Sequence, residues 1–213
     1  MEVWAIVVAA GSGARFGGPK QFEKLGGKRL FEWAVLVAAQ AADGVVLVLP
    51  AQKDARAADA HVVAGGDRRS DSVRAGLAAI PDTADVIVVH DAARPFAGRH
   101  LFDAVIEAVL AGADGAIPGV PVADTVKRVT GDDVAETFDR SALVAVQTPQ
   151  AFTASALRKA HAGDPDASDD AALVEAQGGR VVVVAGDPAN YKITTPRDMA
   201  YAEWFMGQGG KIG

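Results

Sequence analysis

Arg15 and Lys20 stand inside a run dense in glycine, Gly11-Ser12-Gly13-Ala14-Arg15-Phe16-Gly17-Gly18-Pro19-Lys20-Gln21-Phe22. Glycine lets a backbone approach a ligand closely, and successive N–H groups in such a loop form an anion-binding concavity. With two fixed cations in the same stretch, the loop reads as a phosphate site for a nucleotide. The net charge of −6 sharpens this reading, because these cations run against the overall sign. Two common phosphate motifs are absent. In the dinucleotide fingerprint the third glycine comes one residue earlier than Gly17, and Pro50-Ala51-Gln52 stands where an acidic residue would close the second strand. Gly13 to Gly18 has Walker A spacing, but Pro19 precedes Lys20 and Gln21 replaces the magnesium-binding hydroxyl.

Two further clusters carry charge. Gly65-Gly66-Asp67-Arg68-Arg69-Ser70-Asp71-Ser72 repeats the order of glycine, then charge, with Ser70 or Asp71 as the expected cap of a helix running to Ile80. His90-Asp91-Ala92-Ala93-Arg94-Pro95 follows the apolar run Val86 to Val89. In open α/β sheets ligands bind beyond the carboxyl ends of the strands, which places Asp91 and Arg94 near the glycine loop. His61, His90, His100 and His161 are scattered without ligand spacing, so no metal site built by the protein alone is expected. The chain has no cysteine, which removes disulfides and thiol chemistry and agrees with a cytoplasmic location. Its acidic balance argues against nucleic acid or an anionic membrane as partner. The apolar start is too short for a signal peptide or membrane span and belongs to the fold.

The elements that must position these residues alternate. Apolar runs at Val3–Ala9, Val45–Leu49, His61–Ala64, Val86–Val89, Gly115–Pro118 and Arg180–Val184 read as strands. Helical patterns fall at Leu30–Ala42, Gln52–Ala60, Leu101–Leu110, Ser155–His161 and Asp169–Gln177, and a closing helix starts at Thr195-Pro196-Arg197-Asp198. This alternation predicts an α/β fold with a doubly wound, mostly parallel sheet. The rhythm breaks at Val120–Val129 and Val134–Phe138, which read as a hairpin around Thr130-Gly131-Asp132-Asp133. Such an excursion buries little by itself, so a protruding β-arm at about 120–145 is expected to pack against a second copy of the chain. The whole, residues 1–213, is expected to be a single domain, with its closing helix leaving no length for a fused enzyme.

Several motifs in order carry a resemblance. Ala9-Ala10-Gly11-Ser12-Gly13-Ala14-Arg15 with Pro19-Lys20-Gln21-Phe22 resembles the signature of nucleotidyltransferases of the glycosyltransferase-A-like group, a Rossmann-like fold. His90 to Pro95, Pro121 to Lys127, Thr148-Pro149-Gln150 and Asn190 to Thr194 narrow it to the 2-C-methyl-D-erythritol 4-phosphate cytidylyltransferase family, over essentially the whole chain. The resemblance implies CMP transfer from CTP to methylerythritol phosphate, with Mg2+ held mainly by the CTP phosphates. It implies that Arg15 and Lys20 stabilise the transition state, and that Lys192 and Arg140 position the attacking phosphate, Arg140 across a homodimer. Asp91, Arg94, Thr125 and Thr148 match positions that hold methylerythritol. Ala9, Ala10, Gly11, Ser12, Gly13, Gly66, Asp67, Arg69 and Ser72 match CTP contacts. The sequence departs from the family at Val8, where many members have proline. It departs again at Ser168, a substrate position where threonine is usual.

Simpler readings compete. In isolation Arg15 and Lys20 are solvated charges on a tight turn, and Arg140 and Thr125 are rim residues of a hairpin. A ribitol-5-phosphate cytidylyltransferase would share the fold and mechanism, though Ala92-Ala93 favours methylerythritol. A silent nucleotide-binding module would have no use for Arg15, Lys20, Arg140 and Lys192 together.

Overall fold

The computed structural model describes residues 1–51, 57–167 and 169–210. In chain order the strands are β1 (Val3–Val8), β2 (Lys24–Leu25), β3 (Lys28–Arg29), β4 (Gly44–Leu49), β5 (His61–Ala64), β6 (Val86–Asp91), β7 (Gly115–Pro121), β8 (Lys127–Thr130), β9 (Asp133–Thr137), β10 (Val144–Val146), β11 (Gln150–Thr153) and β12 (Val181–Ala185). The helices are α1 (Leu30–Ala41), α2 (Arg69–Ala78), α3 (Arg99–Leu110), α4 (Ala154–Ala160), α5 (Asp170–Ala176) and α6 (Pro196–Gly207).

An 8-stranded sheet in the order β10-β7-β11-β6-β1-β4-β5, with β12 paired to β7, forms the centre. β1 runs parallel to β4 and β6, β4 to β5, and β12 to β7. Helices cover both faces, as the continuous apolar strands require. Successive side chains of a strand point to opposite faces. On β1, Val3, Ala5 and Val7 therefore join the core beneath α1 and α3, while Ile6 joins the core beneath α2, α4 and α5. On β6, Val86 and Val88 go to the first core, Ile87 and Val89 to the second. A third cluster ties α6 back through Leu25, Leu30, Phe96 and Ile193.

The expected doubly wound α/β sheet is present, with local differences. β6 continues two residues past its last valine, because His90 and Asp91 still pair in register with Val7 and Val8. Helix α2 begins at Arg69, so Ser70 and Asp71 lie inside it; Asp71 caps from the first turn, its Oδ2 accepting the Arg68 N–H at 3.0 Å. The parallel run is interrupted by β11, which pairs antiparallel with both β6 and β7 and has no counterpart among the expected strands. The hairpin is shorter than expected. Val120 and Pro121 stay in β7, and of the expected arm only β8 and β9 pair away from the main sheet. Val129 and Val134 there are 60% and 58% exposed, so the arm buries little against its own chain. The expected helix over Gln52–Ala60 lies outside the described residues at 52–56. No helix among the described residues is long and apolar enough to cross a membrane.

Candidate active site

The strand parity above decides which side chain meets the ligand. His90 follows Val88 onto the α1/α3 face, where its ring lies 5.2 Å from that of Phe102. Asp91 follows Val89 onto the α2 face, towards Arg69 in the first turn of that helix. The Arg69 Nε stands 3.5 Å from Asp91 Oδ1, and Lys192 Nζ donates to Asp91 Oδ2 at 2.6 Å. Burial alone would raise the Asp91 pKa. Arg69 and Lys192, with the Lys192 hydrogen bond and Arg94 adding to them, outweigh it and hold the carboxyl well below its usual range. Burial likewise opposes the charge on Arg69, and Asp170 and Asp91 restore it.

Around this ion group lies a cleft. Ala9, Ala10 and Gly11 form one wall, and Lys20 stands beside them. Gly66, Asp67, Arg69 and Ser72 also line the cleft, together with Asp91 and Lys192. Burial lowers the Lys20 pKa, and the positive charges of Lys192 and Arg15 lower it further, against an opposing pull from Asp91. A cleft that destabilises its own ammonium is primed for a polyanion. An adjoining cleft shares Arg69, Asp91 and Lys192 and adds Arg94 and Thr148. Arg94 is held there by the carbonyls of Asn190 at 2.7 Å and Val146 at 3.2 Å.

Ser12, Gly13 and Arg15 stay on the outer loop and do not line either cleft. That loop folds on the Gly13 carbonyl, which accepts N–H groups from Phe16, Gly17 and Gly18 at 2.8, 3.0 and 3.2 Å. Gly13 has φ +69°, and a Cβ there would fall 1.7 Å from the Gly18 carbonyl oxygen, so no side chain fits. The amides of Gly11 to Arg15 have no protein acceptor among the described residues, which leaves them free for a ligand. Thr125 and Arg140 are exposed on and beside the arm, away from both clefts. Arg140 donates to the Ala123 carbonyl there. Ser168 lies outside the described residues.

Some functional neighbours carry no signal at the level of sequence. Arg68 and Gln21 line the first cleft, and Gln21 Nε2 donates to the Gly11 carbonyl at 3.0 Å, fixing the loop's first turn. Within Pro19-Lys20-Gln21-Phe22 the amide of Gln21 marks only a missing hydroxyl, and its reach back to Gly11 depends on the fold of the loop. Thr148 is buried, 5% exposed. Its Oγ1 accepts the Asp91 N–H at 3.0 Å and lies 3.1 Å from His90 Nδ1. The Asp91 N–H can only donate and takes one lone pair of the hydroxyl, and the tautomer of His90 sets whether Oγ1 donates to Nδ1 or accepts from it. His90 is kept neutral, its pKa pushed down to about 4 by burial.

Among the described residues, no group of three or more His, Cys, Asp or Glu is placed to hold a metal ion. Asp91 is the carboxylate between the two clefts, and both of its oxygens already face cations.

A mostly parallel, doubly covered sheet with a glycine loop and converging cations at its carboxyl end defines a nucleotide-handling protein of the nucleotidyltransferase class. Comparison with known proteins takes this to a particular family. The family model of IspD, 2-C-methyl-D-erythritol 4-phosphate cytidylyltransferase, matches residues 3–208, and the chain belongs to that family. A cytidylyltransferase of that name from Nocardia farcinica is 46% identical over 217 residues, covering 96% of this chain and 94% of that protein. A bifunctional IspD/IspF enzyme of Nitratidesulfovibrio vulgaris is 45% identical, covering 94% of this chain; the chain spans only 57% of that protein's length. The crystal structure of the Thermus thermophilus cytidylyltransferase superposes with a TM-score of 0.84 at 37% identity, covering 96% of this chain and 98% of that one. None of these names is that of a pentitol phosphate enzyme.

Two outcomes test the buried support of Asp91. Thr148→Val keeps the shape and leaves the Asp91 N–H without its acceptor, which should lower stability by about 1–3 kcal/mol. Urea denaturation reads this as a lower midpoint at constant slope; an unchanged midpoint would break the assignment. His90, with its depressed pKa, contributes stability that is complete above about pH 6.5, the unfolded value. It is lost as pH falls towards about 4, by about 3 kcal/mol in all. Denaturation at pH 7, 5.5 and 4.5 should show this slope in the wild type and not in His90→Gln.

Proposed function

We propose that this chain transfers CMP from CTP to 2-C-methyl-D-erythritol 4-phosphate. The products are 4-diphosphocytidyl-2-C-methyl-D-erythritol and pyrophosphate, a step of non-mevalonate isoprenoid biosynthesis. The observation that carries the reading is the convergence of Lys20, Arg69 and Lys192 around Asp91, in a chain matched to the family over residues 3–208. The attacking group is the substrate's own phosphate. With a second pKa near ~6, as in phosphoserine, it is largely dianionic at neutral pH and needs no general base. One of its oxygens bonds to the α-phosphorus of CTP as the bond to the β-phosphate oxygen breaks, and pyrophosphate leaves. Catalysis then requires alignment and charge neutralisation.

The roles divide accordingly. Lys20 and Arg15 stabilise the negative charge that grows on the α-phosphate and on the leaving group. Lys192 orients the incoming phosphate, and Asp91 in turn orients Lys192. The cleft walls at Ala9 to Gly11, and at Gly66, Asp67, Arg69 and Ser72, hold the nucleotide, with Ser12 and Gly13 joining from the loop. Asp91, Arg94 and Thr148 line the methylerythritol side, and the family motifs assign Thr125 and Ser168 to the same substrate. Asp91 would be the carboxylate beside a magnesium ion held mainly by the CTP phosphates, which would supply neutralisation of the phosphate charge. The chain acts as a single cytoplasmic cytidylyltransferase domain. It pairs through the 120–145 arm so that Arg140 of one protomer completes the other's site.

Pyrophosphate release from CTP should be fast with methylerythritol 4-phosphate and slow with ribitol 5-phosphate or D-arabitol 5-phosphate. A pentitol preference would keep the mechanism and overturn the substrate. Lys20→Ala should lose turnover by about two to three orders of magnitude with its melting curve unchanged. Near-normal turnover in that variant would defeat the mechanism. The arm gives an independent check. Lys20→Ala and Arg140→Ala proteins, each nearly inactive, should recover activity when mixed and allowed to exchange subunits; no recovery would deny Arg140 its role in trans.

A further inference from the structure

Arg69 is held from behind as well as from the front. Its Nη1 forms an ion pair with Asp170 Oδ2 at 2.8 Å, and Asp170 Oδ1 lies 2.9 Å from His161 Nε2. The His161 and Asp170 side chains are 2% and 1% exposed, sealed between the end of α4 and the start of α5. A carboxylate buried so deeply is unfavourable unless each oxygen meets a donor. Here one oxygen meets His161, and the other faces Arg69 as an ion pair without hydrogen-bond alignment, so the charge of the guanidinium is what offsets its burial. The carboxylate can only accept, so Nε2 of His161 is the donor. The other ring nitrogen, Nδ1, is buried with no partner in the structure. The pair thus carries a desolvation cost, and its outlet towards solvent is the guanidinium that lines both clefts.

We propose that His161 and Asp170 are positioning residues for nucleotide binding, acting through Arg69. His161 fixes the Asp170 carboxylate, and Asp170 fixes one edge of the guanidinium while Asp91 takes Nε. Nη2 is left with no protein partner among the described residues, presented to the phosphates of a bound nucleotide. Without the clamp, Arg69 turns fully onto Asp91 and competes with Lys192 for it. This inference rests on the CTP reading above.

The sign of one effect separates positioning from plain electrostatics. Removing a negative charge from beneath an anion site strengthens anion binding by Coulomb's law alone. Loss of positioning weakens it. Asp170→Asn should therefore raise the calorimetric Kd for CTP with magnesium; a lower or unchanged Kd overturns the proposal. His161→Leu should raise that Kd about tenfold, in the range seen when groups orienting a ligating side chain are removed. His161→Gln, which restores a donor, should recover most of the loss. In an Arg69→Lys background His161→Leu should change Kd by less than about twofold, because the route is already cut. Equal effects in both backgrounds would make His161 a packing residue and overturn the proposal. Thermal melts accompany each variant, and Asp170→Asn and His161→Gln decide the matter if the leucine variant does not fold. Wild-type protein that binds no CTP would overturn the underlying reading instead.

Discussion

The carboxylate of Asp91 is the point on which the site depends. It sits at the last position of a central strand, almost out of water, and would shed its charge there if left alone. Lys192 and Arg69 keep it ionised, and it keeps them in place. The exchange matters because the cleft must hold several cations before any ligand arrives. Two unit charges about 4 Å apart near a protein surface interact by roughly 4 kcal/mol, so an unbalanced set of ammonium and guanidinium groups would fly apart or deprotonate. One buried anion at their centre removes most of that repulsion. It leaves donors on Lys192 and Arg69 for phosphate oxygens.

Backbone geometry places that anion. A strand alternates its side chains, so residues 87, 89 and 91 share a face and residues 86, 88 and 90 share the other. Parity alone sends Asp91 to Arg69 and His90 to Phe102. A slip of one residue in the pairing of β6 with β1 would exchange them and destroy both sites at once. The register is guarded by the two cores, because Ile87 and Val89 fill one and Val86 and Val88 the other. Thr148 then locks the strand end from the side, with β11 bringing the hydroxyl alongside the Asp91 amide. Packing energy spread over the sheet is thereby converted into the placement of one carboxylate.

Much of this is legible in the residues. The parallel strands are continuous apolar runs because both faces are buried, and the punctuation by Gly11, Gly65 and His90-Asp91 marks their carboxyl ends. The closing helix follows from Thr195, Pro196 and Asp198, whose capping contacts are present. β11 escapes the sequence for a physical reason. Gln150-Ala151-Phe152-Thr153 is short, follows a proline and lacks alternation, and its burial comes from neighbours distant in sequence. The same holds for His161 and Asp170. Each looks ordinary in its own helix, and only the packing of α4 on α5 behind α2 brings them to Arg69. Pairwise chemistry across such distances leaves no local trace in a single sequence. Thr148 stands out by its motif, but its buried bond to the Asp91 amide cannot be read from Thr148-Pro149-Gln150.

The charges fall into two sets by their placement. Arg69, Asp91 and Lys192 sit where the sheet and its flanking elements hold them, and they meet in the free protein. Arg15 lies on a glycine loop closed on its own carbonyl, and Arg140 lies on the exposed arm. Both stay outside the clefts. Lys20 shows why this division is favourable, since burial and its cationic neighbours already lower its pKa. Bringing Arg15 nearer and adding Arg140 to an empty cleft would extend that repulsion beyond what Asp91 and Asp198 offset. A triphosphate and a phosphate monoester bring several negative charges at once and reverse the balance. In the proposed reaction the attraction of Arg15 and Arg140 would go to the reacting complex instead of being spent on holding an empty site together. A permanently assembled set would bind anions of every kind; a set completed by its substrates neutralises charge only where the reaction places it.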